Sequence, residues 1–506
     1  MNASASHYCP PEKRKYVIVV AFLASAMGFI DGTIVAIALP QIRTSLDASF
    51  SAAQWVSNAY ILTLSAFILL GGGLGDKLGV KRVFVWGLVV FIVTSIACAF
   101  AWDTQSLIVF RGLQGVGAAI MLPGSMALIS RNTPREERGH AMGIWVASSS
   151  ITTAIGPFLG GILLTYGGTE AWRWIFAFNV PIGLIALAFL LKMVPADQPK
   201  TQGGVGSLDW TGGIILTLGM GAMVTGLTFI GETDRGQLAY SLMVIGIVFF
   251  GLAIWWEMRT PNAMIDMRLF ASKQFSGANI VTLLVWTCMG AVTFFFPMLV
   301  IVAWQLPPSY AGSMFLPFSI FITCLSPFVG RLVDRFGSRP LLTLGSLIYA
   351  VGSLVLAWAI VKQDFWFWLL PGFATLGFGI GLMGSTIAVA VVNSVPEEKT
   401  GAGSGINNMV ARVSFLFAVA GLGAFVAYAY NLVIRGSDFP TDIQDLMIAA
   451  GFGERLEGAL YQISLVELQA VAMNHAAIAL CLVMALISVV AAVVGFVTHK
   501  PAPVSN

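Results

Sequence analysis

Long apolar stretches alternate with short polar ones along nearly the whole chain. Runs of roughly 18–25 apolar residues predict membrane-spanning helices, because lipid leaves the backbone no other way to satisfy its hydrogen bonds. They fall near 17–39, 52–74, 83–102, 105–130, 139–165, 173–192, 210–230, 238–256, 276–303, 309–330, 340–361, 366–392, 404–430 and 470–497, fourteen in all. The polar start of the chain lacks a cleavable signal pattern, so the first span is expected to stay in the protein. The longest polar interruption, 431–469, carries Leu446, Ile448, Phe452, Leu456, Leu460 and Ile463 at a spacing that allows short amphipathic helices on the membrane surface. Its acids, among them Asp438, Asp442 and Asp445, outnumber its two arginines. They form either a cation-attracting cap or a solvated loop.

Composition agrees with this pattern. Of 506 residues, 57% are hydrophobic and 10% charged, against ~25% charged in a typical soluble domain. A net charge of +3, with no basic run beyond Lys13–Lys15, gives no footing for nucleic acid. Nineteen of the 27 lysines and arginines fall on the side of the termini, six on the other, and Arg111 and Arg412 inside spans. The bias puts both termini in the cytoplasm, and a multi-pass chain of this kind is expected in the cell's inner (cytoplasmic) membrane. Five cysteines and four histidines are scattered without metal-ligand spacing and read as ordinary helix residues. No HExxH, GxSxG or phosphate loop occurs, so neither an enzyme nor ATP-driven transport is expected.

Two polar turns repeat. GGLGDKLGVKRVF (72–84) and GRLVDRFGSRPLL (330–342) align Asp76 with Asp334 and Gly79 with Gly337, an offset of 258 residues. The same offset pairs Gly72 with Gly330, Lys77 with Arg335 and Lys81 with Arg339, and Arg82 adds a further base to the first turn. Such repeats mark transporters built from two similar halves. The turns separate spans two and three and spans ten and eleven, which leaves two surplus helices at 210–256. Three regions follow: a six-helix half at 1–195, a two-helix link at 196–272 and a second six-helix half at 273–506.

The first turn resembles the signature of the major facilitator superfamily, G-x-L-x-D-[KR]-x-G-x-[KR]. ITTAIGPFLGGIL (151–163), with Gly156, Pro157, Gly160 and Gly161, resembles the antiporter motif of its drug exporters. LIVFRGLQGVGAA (107–119) resembles the motif that places an arginine in the fourth span, and IDGTIVAIALP (30–40) a first-span motif of the fourteen-span drug:proton antiporter branch. QWVSNAYIL (54–62), WRWIFAFNVPIG (172–183) and LDWTGG (208–213) fit that branch too. The resemblance implies export by alternating access, driven by a proton gradient without a cofactor. In those exporters the antiporter motif lies between the halves, where a tight seal limits proton leak.

Asp31 is the only acid inside a predicted span. A carboxylate there costs at least ~2.5–3.5 kcal/mol and marks function by default. Asp31 lies about 12 Å, and Arg111 about 10 Å, from the same-side ends of their predicted spans, so the two share a depth. They read as a proton-coupling pair, or as an ion pair that only orients two helices. Gly156 and Gly160 form a GxxxG that admits a close helix, and Pro157 invites a bend. In the second half Phe373 stands where Arg111 would be, which confines proton handling to the first. Arg412 reads as a side chain that reaches back to the inner surface or pairs locally. Phe294-Phe295-Phe296 reads as cavity wall or lipid-facing core, and Phe365-Trp366-Phe367-Trp368 as an interfacial belt. Aromatic surfaces suit lipophilic neutral or monocationic cargo. A transporter for one physiological compound (a lipid, an amino acid or a siderophore-like metabolite) fits the same motifs. A membrane receptor or enzyme fits them less well. The sequence leaves a periplasmic adaptor open.

Overall fold

The computed structural model describes residues 9–134, 145, 152, 155–195, 209–230, 235–260, 265–396, 399–453 and 463–499. All regular structure among them is helical. In chain order the helices are α1 (Pro11–Leu46), α2 (Phe50–Leu78), α3 (Val80–Ala99), α4 (Thr104–Asn132), α5 (Ile155–Tyr166), α6 (Ala171–Ala177), α7 (Asn179–Met193), α8 (Trp210–Phe229) and α9 (Gly236–Arg259). There follow α10 (Lys273–Met298), α11 (Pro308–Ser313), α12 (Phe315–Phe336), α13 (Ser338–Lys362), α14 (Leu370–Asn393), α15 (Thr400–Phe417), α16 (Gly423–Arg435), α17 (Thr441–Ala450) and α18 (Ile463–Thr498).

Twelve spans among the described residues are long and apolar enough to cross a membrane. The chain is a multi-pass membrane protein. The other two predicted spans fall on α2, a helix of 29 residues, and on 139–165, of which the described end is the shorter apolar helix α5. Several predicted ends are corrected, among them those of α1 and α9. α1 continues seven residues past 39 to Leu46, because Pro40 is tolerated inside it and its end is closed by Asp47 in the left-handed region, with the Asp47 amide donating to the carbonyl of Arg43. α9 reaches Arg259 and takes in Glu257, a second buried acid, whose Oε2 accepts the amide of Ile265 at 2.9 Å.

Short polar signals set the helix starts. The Ser49 side chain accepts the amide of Ala52 at 3.2 Å at the head of α2. Asp103 and Ser106 form a reciprocal cap at the head of α4, and that cap holds the Asp103 carboxyl below its usual range.

The repeat is visible in the packing. Gly79 (φ 99°) joins α2 to α3, and Gly337 (φ 79°) joins α12 to α13, a backbone conformation that a side chain would strain. Gly115 on α4 lies against the carbonyl of Tyr60 on α2, and Gly377 on α14 against the carbonyl of Phe318 on α12, 258 residues after Tyr60. A Cβ on Gly117 would meet the amide of Phe91 at 2.8 Å, and one on Gly379 the carbonyl of Gly345 at the same distance. Contact is therefore closest where small residues let backbones approach. α1 packs on α4 and α7, and α2 and α3 pack on α4; α10 packs on α15 and α18, and α13 on α14 and α18. α8 pairs with α9 and leans on α2.

Candidate functional site

Asp31 lies near the middle of α1, about 22 Å from the end of that helix, and is completely buried. It faces into the bundle of α1, α3, α4 and α7, where four side chains close around it. Arg111 of α4 bonds Oδ2 through a terminal guanidinium nitrogen. Oδ1 accepts from Gln114 of α4 at 3.0 Å and from Asn179 of α7 at 3.0 Å. Gln114 also donates to Ser95 of α3 at 2.8 Å, and its oxygen accepts from Arg111 at 2.7 Å. Arg111 Nε donates to the carbonyl of Val56 on α2 at 3.1 Å, with the Tyr60 ring 4.3 Å from the guanidinium carbon. Both oxygens of a buried carboxylate are thus satisfied, and the buried cation beside it donates from two of its three nitrogens.

The expected Asp31–Arg111 contact is present. Gln114, Asn179 and Ser95 were not singled out from sequence. For Gln114 a signal existed, since it follows Arg111 by three residues and so shares its helix face.

The glycines at 156–161 serve two neighbours. A Cβ on Gly156 would meet Ile30 at 3.0 Å, and Gly160 presses on the Ile34 side chain, so the GxxxG faces α1 on either side of Asp31 in sequence. Pro157 and Gly161 face α11 instead. A Cβ on Gly161 would lie 2.5 Å from the carbonyl oxygen of Pro308, Gly312 touches the carbonyl of Pro157, and the amide of Ser309 donates to Thr165 at 3.0 Å. Two further bonds join the same end of the molecule. Gln54 donates to the carbonyl of Val419 at 2.9 Å, where α15 passes into a π turn at 418–422, and Arg43 donates to the carbonyl of Phe452 at 3.1 Å.

In the repeated turns, Lys81 donates to the carbonyl of Val194 at 2.6 Å, Arg82 lies over Trp86, Arg335 over Phe336 and Arg339 over Phe496. Gly72 and Gly330 have open space around them. The side chains of Asp76 and Asp334 lie outside the described residues. Phe373 is buried against Phe296 and Phe315. The 294–296 run is core, with the Phe295 ring edge-to-face against Phe452 of the long loop, whereas Trp366 and Phe367 are exposed as a belt requires.

The fold and sequence have clear relatives. Multidrug transporter protein MdtP of Bacillus subtilis is 30% identical over 86% of this chain and 82% of its own length. Riboflavin transporter RibZ of Clostridioides difficile is 29% identical over 83% and 90%. A bacterial homolog of the human lysosomal transporter Spinster, in its inward-facing and unoccupied conformation, superposes with a TM-score of 0.67 at 14% identity, covering 98% of this chain and 100% of that one. The family profile for the Major Facilitator Superfamily matches residues 21–419, and with these helices, this repeat and these relatives the chain belongs to that superfamily of membrane transporters.

Proposed function

We propose that this transporter exports lipophilic, aromatic compounds in exchange for protons, with Asp31 as the proton carrier and no cofactor. The reading takes the chain as fourteen spans with cytoplasmic termini, two six-helix halves and the α8–α9 pair between them. The observation that carries it is the closed site around Asp31: a mid-span carboxylate whose every partner is a donor from another helix. Losing or gaining a proton there changes how α1, α4 and α7 hold together, so protonation is tied to helix arrangement.

Asp31 is buried within the N-terminal half, whereas Phe22, Phe29, Gly32 and Thr33 form a partly exposed strip on a different side of α1. Phe29 and Asp31 are two residues apart, about 200° around the helix. Cargo on the strip and proton at Asp31 therefore communicate through α1 and do not compete for one atom. Pro157, Gly161, Ser309 and Gln54 would close the outer end while the inner end is open, and the Gly79 and Gly337 turns would pivot on the inner side.

The test is efflux from proteoliposomes under an imposed pH gradient. Asp31→Asn should abolish gradient-driven efflux while the protein remains folded in the membrane, and undiminished efflux overturns the coupling role. A narrower physiological cargo is the second reading, favoured by the riboflavin transporter among the relatives. A substrate panel with saturable transport of one compound alone would select it.

A further inference from the structure

Arg412 does not sit where a surface-seeking arginine would. It lies twelve residues into α15, about 18 Å from the start of that helix, too far for its head group to reach back to water at the helix end. Its guanidinium carbon is 5.5 Å from the ring of Phe29, at the middle of α1. It makes no hydrogen bond or ion pair with any described residue. Tyr60 lies near it, its hydroxyl donating to the carbonyl of Gly28 at 3.3 Å, and on the far side of Tyr60 Asp31 and Arg111 bond each other inside the N-terminal bundle. Phe29 and Thr33 are partly exposed, and a Cβ on the neighbouring Gly32 would meet nothing within 4 Å. A donor-rich, partly exposed cation thus lies beside the open strip of α1 at mid-helix depth, with the Phe29 ring against it, Tyr60 nearby and no hydrogen-bond acceptor among the described residues. Intramembrane charges without a protein partner mark ligand paths.

We infer that Arg412 recognises the cargo: it donates to an acceptor oxygen of a neutral or anionic aromatic compound and excludes organic cations. Asp31 and Arg111 cancel, so Arg412 leaves the cavity with a net positive charge, which low dielectric makes strongly repulsive to a cation. The planar fork suits a carbonyl or carboxylate, while Phe29 offers a stacking face to the aromatic body. This reverses the sequence-based expectation that monocations are cargo, and it rests on the export reading above.

Binding to the purified full chain in detergent at pH 7, by isothermal titration, tests it with three probes sharing one aromatic body: 1-naphthaleneacetamide, 1-naphthaleneacetate and 1-naphthylmethylammonium. The amide and the acetate should bind at least about tenfold more tightly than the amine, the effect of one charge-assisted hydrogen bond. Arg412→Gln should reduce that gap to within about threefold, and Arg412→Lys should keep the order. An amine bound as tightly as the amide by the wild type overturns the assignment, as does a wild type that binds neither amide nor acetate, or Arg412→Gln with the gap intact. If Arg412→Gln fails to fold, the wild-type order and Arg412→Lys still decide. The titration involves no gradient, so failure of proton coupling leaves it unaffected.

Discussion

At the scale of residues, the energetics around Asp31 are those of a buried pair whose partners cannot be removed singly. Arg111→Leu would strand a carboxylate without its cation and should destabilise by about 3–5 kcal/mol. Adding Asp31→Asn should recover much of that loss, because the stranded charge is gone. Unfolding in detergent of the two single variants and the double variant measures the coupling, and strictly additive effects would show that the two side chains do not depend on each other. Asp31 and Arg111 were legible in the sequence because a charge in an apolar run has no inexpensive explanation. Asn179 was not, since a lone amide in FNVPIG looks the same whether it caps a helix, faces solvent or, as here, donates to Asp31 at 3.0 Å. The contact of Arg412 with Phe29 was not legible either, because it joins helices far apart in sequence; its helix starts at Thr400, four residues before the predicted span.

At the scale of elements, the glycines of α5 separate two kinds of contact. At Gly160 a Cβ meets the flexible end of Ile34, which can turn aside, but at Gly161 it meets the backbone of Pro308 and Ser309, which cannot. Gly161→Ala should therefore slow efflux several-fold more than Gly160→Ala at equal expression, and equal rates would show that the α5–α11 approach does not limit the cycle. Asp76→Asn, at the end of α2, should lower turnover more than binding if the Gly79 turn governs rocking, and unchanged turnover removes that role. A second element-level tie joins the 3₁₀ turn Met267–Ala271 to the start of α15, where Lys399 bonds Asp266 at 2.5 Å. That bond, ahead of the amide of Arg268, holds the Asp266 carboxyl below its usual range. The stabilisation is therefore present above the ordinary carboxylate value near 3.9 and disappears as pH falls through the lower folded value. Both side chains are partly exposed, so Lys399→Met should cost under about 1 kcal/mol at pH 7. The gap to the wild type should close in acid, and a gap that persists at pH 3 would assign the loss to something other than the ion pair.

At the scale of the whole molecule, the 258-residue offset was legible because it repeats a turn that only glycine can make, and the structure extends it to Tyr60/Phe318 and Gly87/Gly345. The joins between the two bundles were not legible, because Gln54 bonds the backbone carbonyl of Val419 and Thr165 the backbone amide of Ser309, groups that every such residue carries, far apart in sequence. They nevertheless determine whether the bundles can separate at the end where α1 finishes. α5 and α11 meet backbone to backbone there, so a covalent bridge between them should freeze one state without distorting it. Four of the five cysteines are buried and Cys324 is exposed, so the bridge needs Cys324→Ser as background. In that background, Thr165→Cys with Ser309→Cys should transport near the parental rate when reduced. Oxidation or a short bis-thiol reagent should stop efflux, and reductant should restore it. The two single variants, treated alike, should be unaffected. Bridged protein that still exports at the reduced rate would mean that the bundles never part at this seam, and alternating access would then have to run through the α2–α15 contact, where a bridge from Gln54→Cys to Val419→Cys makes the same test.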